Sequence, residues 1–322
     1  MRERNPDTRP KLVLIVLLVL ALVSAVAFMT LGAKGSWAFV LKFRGIKLLS
    51  LVLVAYAIAV STVLFQTVTN NRILTPSVMG FDSLYVLVQT ALIFVFGSAT
   101  VVMIDPQLKF VGETILLVTF SALLYRWLFV GAERSLHLLV LVGIVFGVFF
   151  RSLSGFMQRV LDPNEFAVLQ DTLFASFNSI DSTLLAVSAA IVGGVTVVGL
   201  RLMHTFDVLS LGRATAISLG VDYKRTVTII LVLVSVLVAV STALVGPVMF
   251  FGLLVTALTH YLTGNGKHAY TLPAAILIAI ICLVGGQVVL ERLFSFDTAL
   301  SIIIEFVGGI VFIGLILKRG AR

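Results

Sequence analysis

Apolar residues dominate this chain in long runs separated by short polar breaks, and the length of those runs sets the architecture. Leu12–Leu31 is the first run, and it matches the roughly 20 residues a helix needs to cross a bilayer. Further runs cover Gly45–Thr69, Val78–Gly97, Val111–Val130 and Ser135–Val160. After a less apolar stretch, Asp162–Asp181, come Ser182–Met203, Thr226–Val245, Val248–Thr263, Leu272–Leu290 and Ala299–Leu317. The pattern predicts an all-α, polytopic membrane protein with about ten transmembrane helices, residues 1–322 forming a single membrane-spanning domain.

Composition closes the main alternatives. The chain is 60% hydrophobic and 12% charged, with a mean hydropathy of +1.15, against about 25% charged residues in a soluble domain. The net charge of +8 does not point to nucleic acid, because Lys and Arg sit between the apolar runs, where flanking cations belong. Cys282 is the one cysteine and lies inside an apolar run, so neither a disulfide framework nor a thiolate cluster is expected. His137, His204, His260 and His268 are scattered without metal-ligand spacing, so no metal or cofactor site is expected. The first apolar run exceeds the roughly 7–15 residues of a signal-peptide core and reads as a retained helix.

Charge distribution also orients the chain. With ten spans and the N-terminus inside, the inner segments collect thirteen Lys and Arg residues, Arg2, Arg4 and Arg134 among them. The outer segments collect seven, including Lys34 and Arg292. The excess predicts that both termini are cytoplasmic. Gly143 and Gly147, and the doublets Gly193-Gly194, Gly285-Gly286 and Gly308-Gly309, predict close helix packing.

Two polar segments stand out. His204–Arg225, "HTFDVLSLGRATAISLGVDYKR", has Leu-Gly breaks at Leu211-Gly212 and Leu219-Gly220 around a short helix-capable run. Glycine after an apolar turn favours helix termination, so two short helices could lie across the cytoplasmic face and meet a soluble partner; a solvated basic loop is the plainer alternative. Asp162–Asp181 is expected to form a short helix on the outer side.

The sequence resembles the FecCD-type permeases, the family of iron–siderophore, haem and cobalamin importers. "LSLGRATAISLGVDYKR" resembles that family's cytoplasmic coupling segment, and Val245–Gly264, "VGPVMFFGLLVTALTHYLTG", resembles its "AGPIGFVGLIVPHIARLLVG". Arg44–Lys47, "RGIK", stands where the family has "RLPR", and Gln66 stands at the family's Gln. "NNRILTPSVMG" is similar to "RNPLADPDLLG", and Glu305–Leu317 to "ALIGAPFFLYLL". Arg72, Thr256-Ala257 and Gly308-Gly309-Ile310 depart from the family's Pro, Pro-His and Gly-Ala-Pro, as in a branch similar to permeases for catecholate or mixed catecholate–carboxylate siderophores.

The resemblance implies a permease that moves ferric siderophore from a periplasmic or lipid-anchored binding protein into the cytoplasm, across the cell (inner) membrane. It implies a second permease subunit, a different paralogue or a second copy of this chain, and cytoplasmic ABC ATPase subunits. No GxxxxGK[ST] loop is present, so ATP hydrolysis belongs to a partner and the chain is not itself an enzyme. Leu211, Gly212, Arg213, Ala216, Leu219 and Gly220 would carry ATPase coupling, with 204–225 as the coupling segment and 162–181 as the outer gate. Arg44, Lys47 and Arg292 would dock the binding protein, unless they are ordinary interfacial cations. Arg151 lies within the fifth run, where a buried charge is costly unless it faces a path or a partner. It either lines the translocation path or pairs with Glu305 in the tenth run. Asp82 and Glu113 read as helix N-terminal acids. The alternative class is a ten-helix secondary transporter driven by an ion gradient.

Overall fold

In the computed structural model the described residues are 8–33, 36–129, 136–177, 180–264, 266–293 and 299–320. Arg2, Arg4, Lys34 and Arg134 lie outside them, and of His137 only the backbone is described. Secondary structure among the described residues is entirely helical. The order is α1 (Thr8–Thr30), α2 (Trp37–Thr69), a 3₁₀ turn (Pro76–Met79), α3 (Phe81–Phe96), α4 (Ser98–Val102), α5 (Pro106–Phe129), α6 (Leu136–Val160) and α7 (Pro163–Leu173). It continues with α8 (Ser182–Arg201), α9 (Met203–Leu209), α10 (Arg213–Ser218), α11 (Tyr223–Val245), α12 (Phe251–Thr263), α13 (His268–Arg292) and α14 (Leu300–Gly320). Seven of these, α1, α2, α5, α6, α8, α11 and α13, are long and apolar enough to cross a membrane, and α3, α12 and α14 add three shorter apolar helices. Ten apolar runs have become ten apolar helices. Backbone groups in lipid must be satisfied within the segment, and an α-helix does this wherever the apolar run is long enough.

The core gathers on α2, α11 and α13, where Leu51, Phe65, Leu231, Leu237, Ala275 and Leu283 are fully buried. By contrast, α1 exposes Leu12, Ile15, Val19 and Leu22 over more than half their surface, as a lipid-facing helix should. Helices α2 and α13 run antiparallel: Lys47 meets Glu291 at one end and Thr67 meets His268 at the other. From His268 to Glu291 the rise is about 35 Å, enough to span a hydrocarbon core of about 30 Å.

The glycine pair on α6 permits one unusually close contact. A Cβ on Gly143 would lie 2.8 Å from the Met79 Cα, and one on Gly80 (φ +87°) would lie 3.0 Å from the Gly147 N. Backbone therefore touches backbone, and the 3₁₀ turn sits directly on α6. A Cβ on Gly193, Gly194 or Gly285 meets nothing within 4 Å, so the packing role expected for those positions is not realised within this chain.

Two further expectations change. The polar stretch through Arg44 is not a break, because α2 begins at Trp37 and carries Lys42, Arg44 and Lys47 within one helix. Glu113 is not a helix N-terminal acid: it lies seven residues beyond Pro106, buried, and accepts a 2.6 Å hydrogen bond from Gln89 Nε2. Asp82 does lie in the first turn of α3, buried, with one carboxylate oxygen unpartnered.

Candidate functional site

The segment His204–Arg225 folds as two short helices and two glycine turns. Asp222 caps α11 by accepting from Arg225 N, and Arg213 lies 5.6 Å from the Tyr223 ring centre, holding α10 to the start of α11. At the end of α10, Gly220 N donates to Ile217 O and Val221 N to Ala216 O, both at 3.0 Å. These two bonds, with Gly220 at φ +84°, make a Schellman cap. Gly212 (φ +96°) sets the turn from α9 into α10.

The segment has an inner and an outer face. Ala216 is fully buried, together with Phe206 and Leu209, and fixes the segment to the bundle. Leu211, Ile217 and Leu219 are 60%, 50% and 60% exposed, an apolar set left uncovered beside the basic residues Arg213, Lys224 and Arg225. Such a patch on a polar face suits a protein partner.

At the far end of α13 the three expected docking cations take different positions. Lys47 is buried, its Nζ 2.7 Å from Glu291 Oε1, which also accepts from Gln287. Arg44 is half-buried and donates to the carbonyls of Phe28 and Leu31 at 2.6 and 2.9 Å, satisfying the open end of α1. Arg292 is exposed and also reaches the Leu31 carbonyl. The sequence could not reveal Glu291 as the partner of Lys47, since 244 residues separate them.

Arg151 and Glu305 do not pair. Both are exposed, on α6 and α14, and both lie within electrostatic reach of buried Asp82. Within the segment 162–181, Pro163–Leu173 form α7, capped by Asp162 accepting from Asn164 N at 2.9 Å and started by Pro163. Its tail is anchored by Ser176 N donating to Val245 O at 2.9 Å, with Ala175 backed onto Gly246 at the α11–α12 turn.

Sequence comparison places these elements in a known context. The petrobactin import system permease protein YclO of Bacillus subtilis (strain 168) is 48% identical over 309 residues, covering 96% of this chain and 97% of the relative. The petrobactin import system permease protein FatC of Bacillus anthracis is 34% identical over 325 residues, covering 99% and 92%. A solved inward-facing ABC transporter of the metal-chelate type superposes with a TM-score of 0.80 at 22% identity, covering 96% of this chain and 99% of that one, and so shares the fold. The sequence pattern of the FecCD transport family matches residues 11–318. The chain belongs to the FecCD transport family.

Proposed function

We propose that this chain is the membrane-spanning permease subunit of an ABC importer that carries a ferric siderophore into the cytoplasm, the full chain acting as one permease domain. The substrate class is the catecholate or mixed catecholate–carboxylate siderophores, in line with the two relatives described as petrobactin import permeases. Partner subunits hydrolyse ATP, a binding protein delivers the siderophore from outside, and a second permease completes the core. The chain lies in the cell (inner) membrane with both termini cytoplasmic.

The observation that carries this reading is the two-faced coupling segment. Ala216 anchors it inward while Leu211, Ile217 and Leu219 point outward, as a lever gripped by an ATPase requires. Closure of the ATPases would then shift the spanning helices as rigid bodies. At the opposite end Arg44 and Arg292 carry charge toward the binding protein, above the base formed by the Lys47–Glu291 pair. Arg151 and Glu305, exposed on apolar helices, face the path or the second permease, because facing lipid would cost at least about 2.5–3.5 kcal/mol for such a charge. Guanidinium suits the anionic oxygens of a ferric catecholate.

The test is a pair of variants, Ile217→Asp and Leu219→Asp, on the outer face of the segment. Both are expected to insert normally and lose co-purification with the ATPase and siderophore uptake. Retained ATPase association with normal uptake would refute the coupling assignment.

A further inference from the structure

Helix α13 begins without a local cap: Lys267 at its N-cap provides no side-chain acceptor. The missing acceptor comes from Asp207 on α9, inside the coupling segment and 61 residues away. Asp207 Oδ1 accepts from the His268 backbone N–H at 2.8 Å and lies 2.7 Å from His268 Nδ1. A carboxylate can only accept, so Nδ1 carries the proton. The negative charge also lies at the N-terminus of a long helix, where the helix dipole favours it. On its other side, His268 Nε2 is 2.7 Å from Thr67 Oγ1 on α2. His268 is 3% exposed, and Phe206 packs against its ring at 5.7 Å, edge to face. One side chain thus joins the coupling segment, the start of α13 and the end of α2.

A joint that moves needs room. Beside this junction lies a polar cavity of about 290 Å³ lined by Gln66, Thr67, Asn70, Arg72, His260 and His268. The Gln66 amide oxygen in its wall is buried without a partner. From the junction α13 runs to Glu291, where the Lys47 pair pins it to α2 again beside Arg44 and Arg292. Helix α13 is therefore fixed at one end to the coupling segment and at the other to α2, beside half-buried Arg44 and exposed Arg292.

We infer that Asp207 and His268 are the positioning pair through which displacement of the coupling segment is handed to α13 and carried to the opposite face. This rests on the coupling reading above. The pair touches neither substrate nor ATP; it fixes where the lever is attached. Breaking it should leave the lever gripped by the ATPase but disconnected from the helix it moves.

The experiment uses the whole importer in liposomes, with ATPase and binding protein, and counts ATP hydrolysed per ferric siderophore taken up. Asp207→Ala and His268→Ala should each keep the ATPase bound and hydrolysing, while uptake falls roughly tenfold, on the scale of one lost charge-assisted hydrogen bond. The hydrolysis-to-uptake ratio should rise by the same factor. The double variant should be no worse than either single, because the two residues act as one contact. Asp207→Asn, whose amide oxygen still accepts from both N–H groups, should recover part of the uptake. An unchanged ratio, additive losses, or loss of ATPase binding in step with uptake would each overturn the inference. Ile217→Asp in the same preparation separates the two failures: if it still binds the ATPase the coupling reading has failed, and if it does not, a normal ratio in Asp207→Ala condemns only the positioning pair.

Discussion

Lys47 Nζ and Glu291 Oε1 stand 2.7 Å apart with both side chains about nine-tenths buried, joining α2 to α13 across 244 residues of sequence. The pair occupies the end of the bundle where α1, α2 and α13 meet, and Phe28 lies 5.9 Å from the Lys47 ammonium. Removing one partner strands a buried charge, and such losses run to about 3–5 kcal/mol. Glu291→Leu alone should therefore lower the thermal unfolding midpoint in detergent sharply. The double variant Lys47→Met/Glu291→Leu should recover most of the loss, since an apolar pair of similar volume avoids the stranded charge. Additive losses would show that the two residues act independently.

Gly143 has no room for a side chain. With the Met79 Cα 2.8 Å from the position of its Cβ, Gly143→Ala must push the 3₁₀ turn off α6. Overpacking of this kind costs about 1–3 kcal/mol. Gly193→Ala, with nothing within 4 Å, should leave the isolated subunit's unfolding midpoint unchanged. Equal midpoints for the two variants would contradict the close contact.

Asp181 caps α8, accepting from Thr183 N at 2.7 Å and Leu184 N at 3.1 Å. The backbone N–H groups of Leu184 and Thr183 hold its carboxyl below the usual carboxylate range. A depressed folded value means the stabilisation is present above the unfolded pKa, about 3.9, and is lost as pH falls through the folded value. Asp181→Ala should melt lower than the native chain near neutral pH and alike once both carboxyl states are protonated. A gap between the two that persists in acid would refute the assignment.

Arg151 should matter to the cargo and not to the motor. If Arg151 lines the path, Arg151→Gln would remove a charge-assisted contact of about 1.5–3 kcal/mol, so uptake of an anionic ferric catecholate should fall at least about tenfold while ATPase association holds. Arg151→Lys should sit between the two, keeping the charge without the paired donors. Uptake at the native level in Arg151→Gln would place this residue outside the path.

The ten helices were legible because each apolar run is long and its ends carry glycine, proline or charge. Where reading went astray, the cause was pairing at a distance. The stretch through Lys42 and Arg44 looks like a polar break before a run that starts at Gly45, yet α2 begins at Trp37 and carries both, with α1 carbonyls satisfying the Arg44 head. Glu113 looked terminal because its partner Gln89 sits on another helix. The turns at Gly212 and Gly220 could be read directly, since positive φ is what glycine supplies. The burial of Ala216 could not, because the short helix offers too few residues to reveal which face turns inward. Nor could Asp207 be matched with His268, two ordinary polar residues 61 positions apart.

Transport itself is the most direct measurement. The chain would be reconstituted with its second permease, ATPase and binding protein in sealed liposomes, and uptake of a labelled ferric catecholate–carboxylate siderophore followed. Uptake should require ATP on the ATPase side and the binding protein on the other, and should persist when ionophores abolish all ion gradients. Uptake driven by an imposed proton or sodium gradient, without ATPase or ATP, would contradict the importer reading.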